Sequence, residues 1–243
     1  VSLTDDPADE LRTARLAELG LLAASLAHEV RQPLFAIKSL TQLADAQLAR
    51  GGDAAHARSL LRSLLEQVDL LERVVDGVRL YSRAPGEGLS PVDCAACIEE
   101  VVALMRHRAL ARRVTLQVEL GDGLSAGLAD PTALTQILAN LTQNALDASP
   151  PDSIVVLRAF RFEEGLAVEV HDQGCGVPET LSERIFDPFF TTKTPEEGTG
   201  LGLALSRRLA SAWEGRLDLV PSEIGACLRV TLPALGNVQR RRA

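Results

Sequence analysis

From about Asp9 to Arg50, apolar residues recur at three- and four-residue spacing: Leu16, Leu19, Leu22, Leu26, Val30, Leu34, Ile37, Leu40, Leu43 and Leu48. That rhythm is one face of a helix, about 60 Å long at 1.5 Å per residue. Pro33 lies inside it, lacks an N–H and is expected to bend or loosen the helix around residues 29 to 33. Gly51-Gly52-Asp53 reads as a stop and restart. A second stripe follows through Leu60, Leu61, Leu64, Leu65, Val68, Leu71, Val74, Val75, Val78 and Leu80, and ends before the turn-rich Ala84-Pro85-Gly86-Glu87-Gly88. Two long helices joined by a short turn form an antiparallel hairpin with more apolar face than it can bury on itself. Pairing with a second copy into a dimeric four-helix bundle is therefore expected. The competing arrangement is a monomer whose stripe packs on the C-terminal part of the chain.

Beyond the turn the rhythm becomes mixed. Residues 93 to 111 predict a helix, Val114 to Leu120 alternates as a strand, and Asp130-Pro131 opens a helix that runs to Ala148. Ile154 to Phe162 and Leu166 to Val170 read as paired strands around Glu163-Glu164-Gly165. Leu203 to Trp213 reads as a helix, and Arg216 to Val220 and Cys227 to Leu232 as closing strands. Strands interleaved with helices on one face predict a two-layer α/β sandwich. The expected fold is thus multidomain, α followed by α/β: a hairpin at 1–83, a linker at 84–90, the sandwich at 91–235 and a tail at 236–243.

Composition narrows this picture. A chain of 243 residues suits two domains, and 46% hydrophobic with 24% charged residues supports buried cores and excludes wholesale disorder. With only 6 Phe, 1 Trp and 1 Tyr, those cores must be built from Leu, Val and Ala, and base stacking on aromatic platforms is unlike this chain. A net charge of -8, with Arg240, Arg241 and Arg242 as the one basic run, argues against nucleic acid as a partner. Four scattered cysteines give no disulfide framework, and no apolar run approaches a membrane span of about 18 residues, so the chain reads as cytoplasmic. It begins at Val1 without an initiator Met, which suggests a piece of a longer protein; a membrane would be reached only through a missing N-terminal region.

Candidate chemistry begins at Ala27-His28-Glu29-Val30-Arg31-Gln32-Pro33, where a carboxylate beside an imidazole can orient its neutral, nucleophilic form. Asn140 and Asn144, at i and i+4, put two carboxamides on one helix face, able to hold a hydrated Mg²⁺ against phosphate oxygens. Asp172-Gln173-Gly174-Cys175-Gly176 follows an apolar strand: the carboxylate can accept an exocyclic amino proton while the glycines admit a close backbone approach. Gly198-Thr199-Gly200-Leu201-Gly202-Leu203 opens a helix and offers clustered N–H groups to a polyphosphate, at a spacing that is neither the dinucleotide fingerprint nor the P-loop. Between them, Phe186-Asp187-Pro188-Phe189-Phe190-Thr191-Thr192-Lys193 reads as a hydrophobic latch at the base of a lid. Cys94 and Cys97 have metal or redox spacing but no second pair, and are read as helix packing. His56, His107 and His171 show no matched carboxylate, although His171 adjoins Asp172.

In this order, from residue 10 to about 233, the motifs resemble the catalytic half of a sensor histidine kinase of two-component signalling. The Gln32-Pro33 pair, Asn144-Ala145-Leu146-Asp147-Ala148 and the Phe-Thr-Thr-Lys run look most like its nitrogen-regulation, oxygen-sensing and dicarboxylate-sensing branch. The resemblance implies a homodimeric dimerisation and phosphoacceptor hairpin, then an ATP-binding domain of the Bergerat type. His28 would attack the γ-phosphate of ATP, Glu29 would orient it and take its proton, and an Asp on a response-regulator receiver would then accept the phosphoryl group. Asn144 would coordinate Mg²⁺, Asn140 would contact phosphate or metal, Asp172 would bind the adenine amino group, and Gly174 and Gly176 would shape the base pocket. Gly198, Gly200, Leu201 and Gly202 would line the phosphates, with Lys193 adding a phosphate contact.

Three departures stand out. Gln32 sits where relatives often use Asn or Thr to orient water for dephosphorylating the receiver, which leaves phosphatase activity open. Asp147 replaces a frequent basic residue, so phosphate charge would fall to Mg²⁺ and Lys193. Cys227 replaces a hydroxyl that often supports the adenine-binding Asp, which suggests modest nucleotide affinity. Two other classes compete: an ATPase of the gyrase-like or heat-shock-chaperone kind, which would need a Glu near Asn140 as base, and a dimeric scaffold that binds nucleotide without transferring phosphate.

Overall fold

The computed structural model describes residues 30–31, 33–51, 53–81, 88–124, 127–163, 165–193 and 200–234. His28, Glu29, Gln32 and Gly198 lie outside the described residues, as do the turn 82–87 and the tail from 235. The chain divides into two compact units, Val1–Arg79 and Leu80–Ala243.

In the first unit, residues 33–49 form helix α1 and Ala54–Tyr81 form helix α2. Helical residues flank Pro33 on both sides, and Pro33 itself is buried. Gly51, at φ 68°, donates its N–H to the Leu48 carbonyl at 3.1 Å and closes α1, while the Asp53 carboxylate accepts from Ala55 N–H at 2.9 Å and opens α2. Ala44 and Ala57 are buried, yet Leu34, Phe35, Leu43, Leu48, Leu61, Leu65 and Val75 remain exposed. Among the described residues, much of the apolar stripe is therefore exposed.

The second unit runs β1 (Ser90–Val92), α3 (Cys94–Arg112), β2 (Thr115–Leu120), β3 (Gly127–Ala129), α4 (Pro131–Ala148), β4 (Ile154–Phe162), β5 (Gly165–His171), α5 (Gly202–Ser211), β6 (Leu217–Val220) and β7 (Cys227–Pro233). Five strands form one mixed sheet in the order β2-β4-β5-β7-β6, in which only the β2/β4 pair is parallel. β1 and β3 make a separate two-stranded ribbon. The expected α/β sandwich is present, with all five expected strands of the main sheet within one or two residues of their predicted ends. β1 and β3 escaped sequence reading because three residues are too few to show a period.

Strand alternation builds the core. Val155, Leu157 and Ala159 of β4, Leu166, Val168 and Val170 of β5, and Leu228, Val230 and Leu232 of β7 share a core with Ile98 and Val101 of α3, with Leu134, Ile137, Leu138 and Leu141 of α4, and with Leu209 and Ala210 of α5. Fully burying each such aliphatic side chain contributes about 1.5–3 kcal/mol before conformational entropy is charged against it. Asp93 and Asp130 cap α3 and α4, each side chain accepting two backbone N–H groups. Cys94 and Cys97 are buried core residues of α3, and burial pushes the Cys94 thiol up to about 12, as helix packing requires. Among the described residues, no helix is long and apolar enough to cross a membrane.

Candidate functional site

Asp172 stands at the C-terminal end of the central strand β5, where the chain leaves the sheet. Its side chain is buried, and Oδ1 accepts from Gly174 N–H at 2.8 Å and Ala226 N–H at 3.0 Å. A backbone bond from Asp172 N–H to the Ala226 carbonyl, 2.9 Å, fixes the same corner. Among the described residues Oδ2 accepts no bond, so one carboxylate oxygen is anchored and the other is open. Burial raises the carboxyl above its ordinary value, and the Gly174 and Ala226 N–H groups only partly offset it.

Glycines make this corner possible by close approach. A Cβ on Gly225, at φ 67°, would overlap the Asp172 carbonyl and carboxylate, and one on Gly174 would lie 2.5 Å from the Ala148 carbonyl at the end of α4. With Cys227 in place of a hydroxyl, the sequence alone implies weak support for Asp172. The Ala226 N–H supplies that support instead, while the Cys227 thiol sits 3.3 Å from the His171 ring. A backbone donor leaves no signature in the residue type, which is why the sequence missed it.

Asn140 and Asn144 lie one turn apart on α4, both partly exposed. Asn140 Nδ2 donates to the hydroxyl of Ser206 on α5 at 3.0 Å, and a Cβ at Gly202 would overlap the Asn140 carboxamide. The glycine thus lets the start of α5 press against the asparagine face. Among the described residues no side chain caps α5, and its positive N-terminal end lies beside the Asn140 carboxamide. Ser206, buried and 66 residues away in sequence, was not foreseen. Asn144 makes no hydrogen bond among the described residues, which leaves its carboxamide oxygen available to a hard cation.

The lid segment differs from its expected form. Phe186 is buried in the core with the Arg207 guanidinium 4.5 Å over its ring, but Phe189 is exposed and Phe190 lies under Arg184 at 4.7 Å. The expected aromatic latch therefore reduces to Phe186. Phe189 adopts φ 67°, rare for a residue with a side chain, and its N–H donates to the Gly200 carbonyl at 3.0 Å. Lys193 does not stand free for phosphate: its ammonium meets Asp147 at 2.8 Å, and Arg112 at 2.8 Å and Arg108 at 3.6 Å bind the same carboxylate. Burial alone would raise the Asp147 carboxyl, but Lys193 and the two arginines hold it below its ordinary value. The acidic departure at Asp147 thus gathers three cations beside the asparagine face.

Residues 129–236 match the family of histidine kinase-, DNA gyrase B-, and HSP90-like ATPases (HATPase_c), and residues 18–87 match the His Kinase A phospho-acceptor domain (HisKA). The chain is 30% identical to the catalytic domain of histidine kinase ThkA, covering 95% of that structure and 60% of this chain at a TM-score of 0.55. The chain belongs to the histidine kinase family. A structure of ThkA in complex with the response regulator protein TrrA aligns with 91% of this chain and 64% of that one, at 25% identity and a TM-score of 0.69. Among curated relatives, the signal transduction histidine-protein kinase AtoS of Escherichia coli is 36% identical over 90% of this chain and 35% of its own length. The C4-dicarboxylate transport sensor protein DctB of Rhizobium meliloti is 32% identical over 92% and 36%. The chain spans about a quarter to a half of the length of the curated relatives it matches. The HATPase_c match makes the second unit an ATP-binding domain.

Proposed function

We propose that this histidine kinase chain binds ATP beside Asp172, moves the γ-phosphoryl group to His28, and passes it to an aspartate of a response-regulator receiver. The observation that carries the reading is the Asp172 carboxylate, with one oxygen held by two backbone N–H groups and the other open at the sheet end. An acceptor so anchored suits the exocyclic amino group of adenine, which donates but does not accept there. Gly174 and Gly176 would flank the base, while Gly198, Gly200, Leu201 and Gly202 would present N–H groups and the end of α5 to the phosphates.

In the transfer step, a His28 ring nitrogen attacks the γ-phosphorus, the bond to the bridging oxygen breaks, ADP leaves, and Glu29 takes the ring proton. Positioning and charge do the rest, as phosphoryl transfer demands. Asn144, a carboxamide without a protein partner, fits Mg²⁺, which takes one or two protein oxygens plus phosphates and water; when bound, the ion would neutralise phosphate charge. Asn140, held by Ser206, would contact phosphate or metal, and Lys193 would exchange Asp147 for a phosphate oxygen. The domains would divide as hairpin 1–83, linker 84–90, ATP domain 91–235 and tail 236–243. The exposed leucines of α1 and α2 support a homodimer, and the ThkA complex supports a receiver partner. Gln32 would orient water for any phosphatase activity toward that receiver.

Phosphotransfer profiling tests the proposal. The chain, first labelled from γ-labelled ATP, should lose its label to one or a few receivers of a panel within the mixing time. Steady phosphate release with no label on any protein would instead favour the ATPase reading, against which Asn140 stands as a residue unable to serve as a general base.

A further inference from the structure

The sheet face turned away from the helices carries a cluster that the nucleotide site does not use. Glu169 and His171 of β5 sit two residues apart and point to the same side, as do Cys227 and Arg229 of β7, which pair with them in register. His171 Nε2 lies 2.7 Å from Glu169 Oε2 and 3.3 Å from Cys227 Sγ. The other carboxylate oxygen, Oε1, is taken by Arg229 Nε at 2.6 Å. Phe160 and Phe162 of β4, in edge contact with each other, close one flank beside Arg229. Glu169 and Cys227 are buried, and His171 keeps 30% of its side chain open to solvent.

One imidazole nitrogen thus faces a carboxylate oxygen at 2.7 Å and a sulfur at 3.3 Å. A protonated Nε2 can donate to Glu169 with the thiol as a weak bystander. A cation would instead engage the Nε2 lone pair, the thiolate and the carboxylate at one point. We propose that Glu169, His171 and Cys227 form a binding site for one divalent transition-metal cation of the zinc class.

The donor set is the nitrogen, sulfur and oxygen mixture that such ions take, and adjacent strands hold it rigidly. With bonds of about 2.0–2.1 Å to nitrogen and oxygen and about 2.3 Å to sulfur, tetrahedral ligands stand about 3.3–3.5 Å apart. The Sγ to Nε2 separation of 3.3 Å is within about 0.2 Å of the tetrahedral value, and the Glu169 oxygen, at 2.7 Å from Nε2, must draw back by about 0.6 Å. The half-open edge at His171 gives an entry path and leaves a fourth position to water. Bound there, the ion joins β5 to β7 directly behind Asp172 and Ala226, which follow and precede its ligands in the chain.

Cobalt(II) is the probe, because thiolate coordination gives it a sulfur-to-metal charge-transfer absorption. The full chain, stripped with chelator, reduced and free of nucleotide, is expected to take up one equivalent of Co²⁺ with that absorption and to release it to Zn²⁺. The absorption should vanish in Cys227→Ala, and Co²⁺ affinity should fall at least about tenfold in His171→Ala, whose partly exposed side chain makes a folded variant attainable. Circular dichroism confirms that each variant is folded. Absence of the absorption in the wild-type chain, or its persistence in folded Cys227→Ala, overturns the proposal whatever the outcome for ATP.

Discussion

In the proposed reading, nucleotide recognition turns on Asp172, through its open carboxylate oxygen. Replacing it by Asn keeps an oxygen for the Gly174 and Ala226 N–H groups but removes the charge on the open side. A charge-assisted hydrogen bond contributes about 1.5–3 kcal/mol, so ATP affinity should fall about 10- to 100-fold in Asp172→Asn, measured by displacement of a fluorescent nucleotide. The proton linkage has a defined sign. Burial raises this carboxyl from the ordinary 3.8, so the folded chain holds the proton more tightly than the unfolded one. Its contribution to stability therefore falls as pH rises from the ordinary value through the raised one. If Asp172 binds the base as proposed, nucleotide binding runs the other way, because the base needs the ionised form: affinity should weaken as pH drops through the raised value, with a slope that Asp172→Asn lacks. Gly202→Ala offers an independent check. A methyl there collides with the Asn140 carboxamide, so nucleotide affinity should drop with little change in circular dichroism.

At the scale of elements, α4 and the lid base are joined through Asp147. The pull of Lys193, Arg112 and Arg108 outweighs burial and depresses this carboxyl, so its stabilising contribution is present at neutral pH and is lost as pH falls below the ordinary carboxylate range through the depressed value. Asp147→Asn should cost about 1 kcal/mol, because the three partners are partly solvated. The same substitution frees Lys193 and should tighten ATP binding; a weaker affinity would contradict the proposed exchange of Asp147 for phosphate. How far these elements could be read in the sequence depended on length and on periodicity. α4 was placed at its observed ends because Asp130-Pro131 marks its start and its apolar period is unbroken, and β4 and β5 because alternation persists over seven to nine residues. The contacts between elements were hidden. The Asn140 bond to Ser206, the Ala226 N–H under Asp172 and the convergence of Lys193 on Asp147 all join residues 46 to 66 positions apart. His171 was read as lacking a carboxylate, yet Glu169 sits two residues earlier, which on a strand is the same face.

For the whole molecule, the sequence implied that an apolar stripe exceeds what one hairpin can bury, and the exposed side chains of α1 and α2 agree. If the hairpin pairs as proposed, charging that stripe in Leu43→Glu with Leu65→Glu should turn the dimer into monomers by sedimentation, with the ATP domain still binding nucleotide. The proposed phosphoacceptor His28 belongs to the first unit of the chain and Asp172 to the second. One measurement joins them: incubation of the wild-type chain, His28→Ala and Asp172→Asn with γ-labelled ATP, followed by acid and alkali treatment of the labelled protein. The wild-type chain should carry an acid-labile, alkali-stable label, His28→Ala none although it binds ATP, and Asp172→Asn a strongly reduced amount. Label persisting at the wild-type level in His28→Ala would contradict the assignment of His28 as the phosphoacceptor.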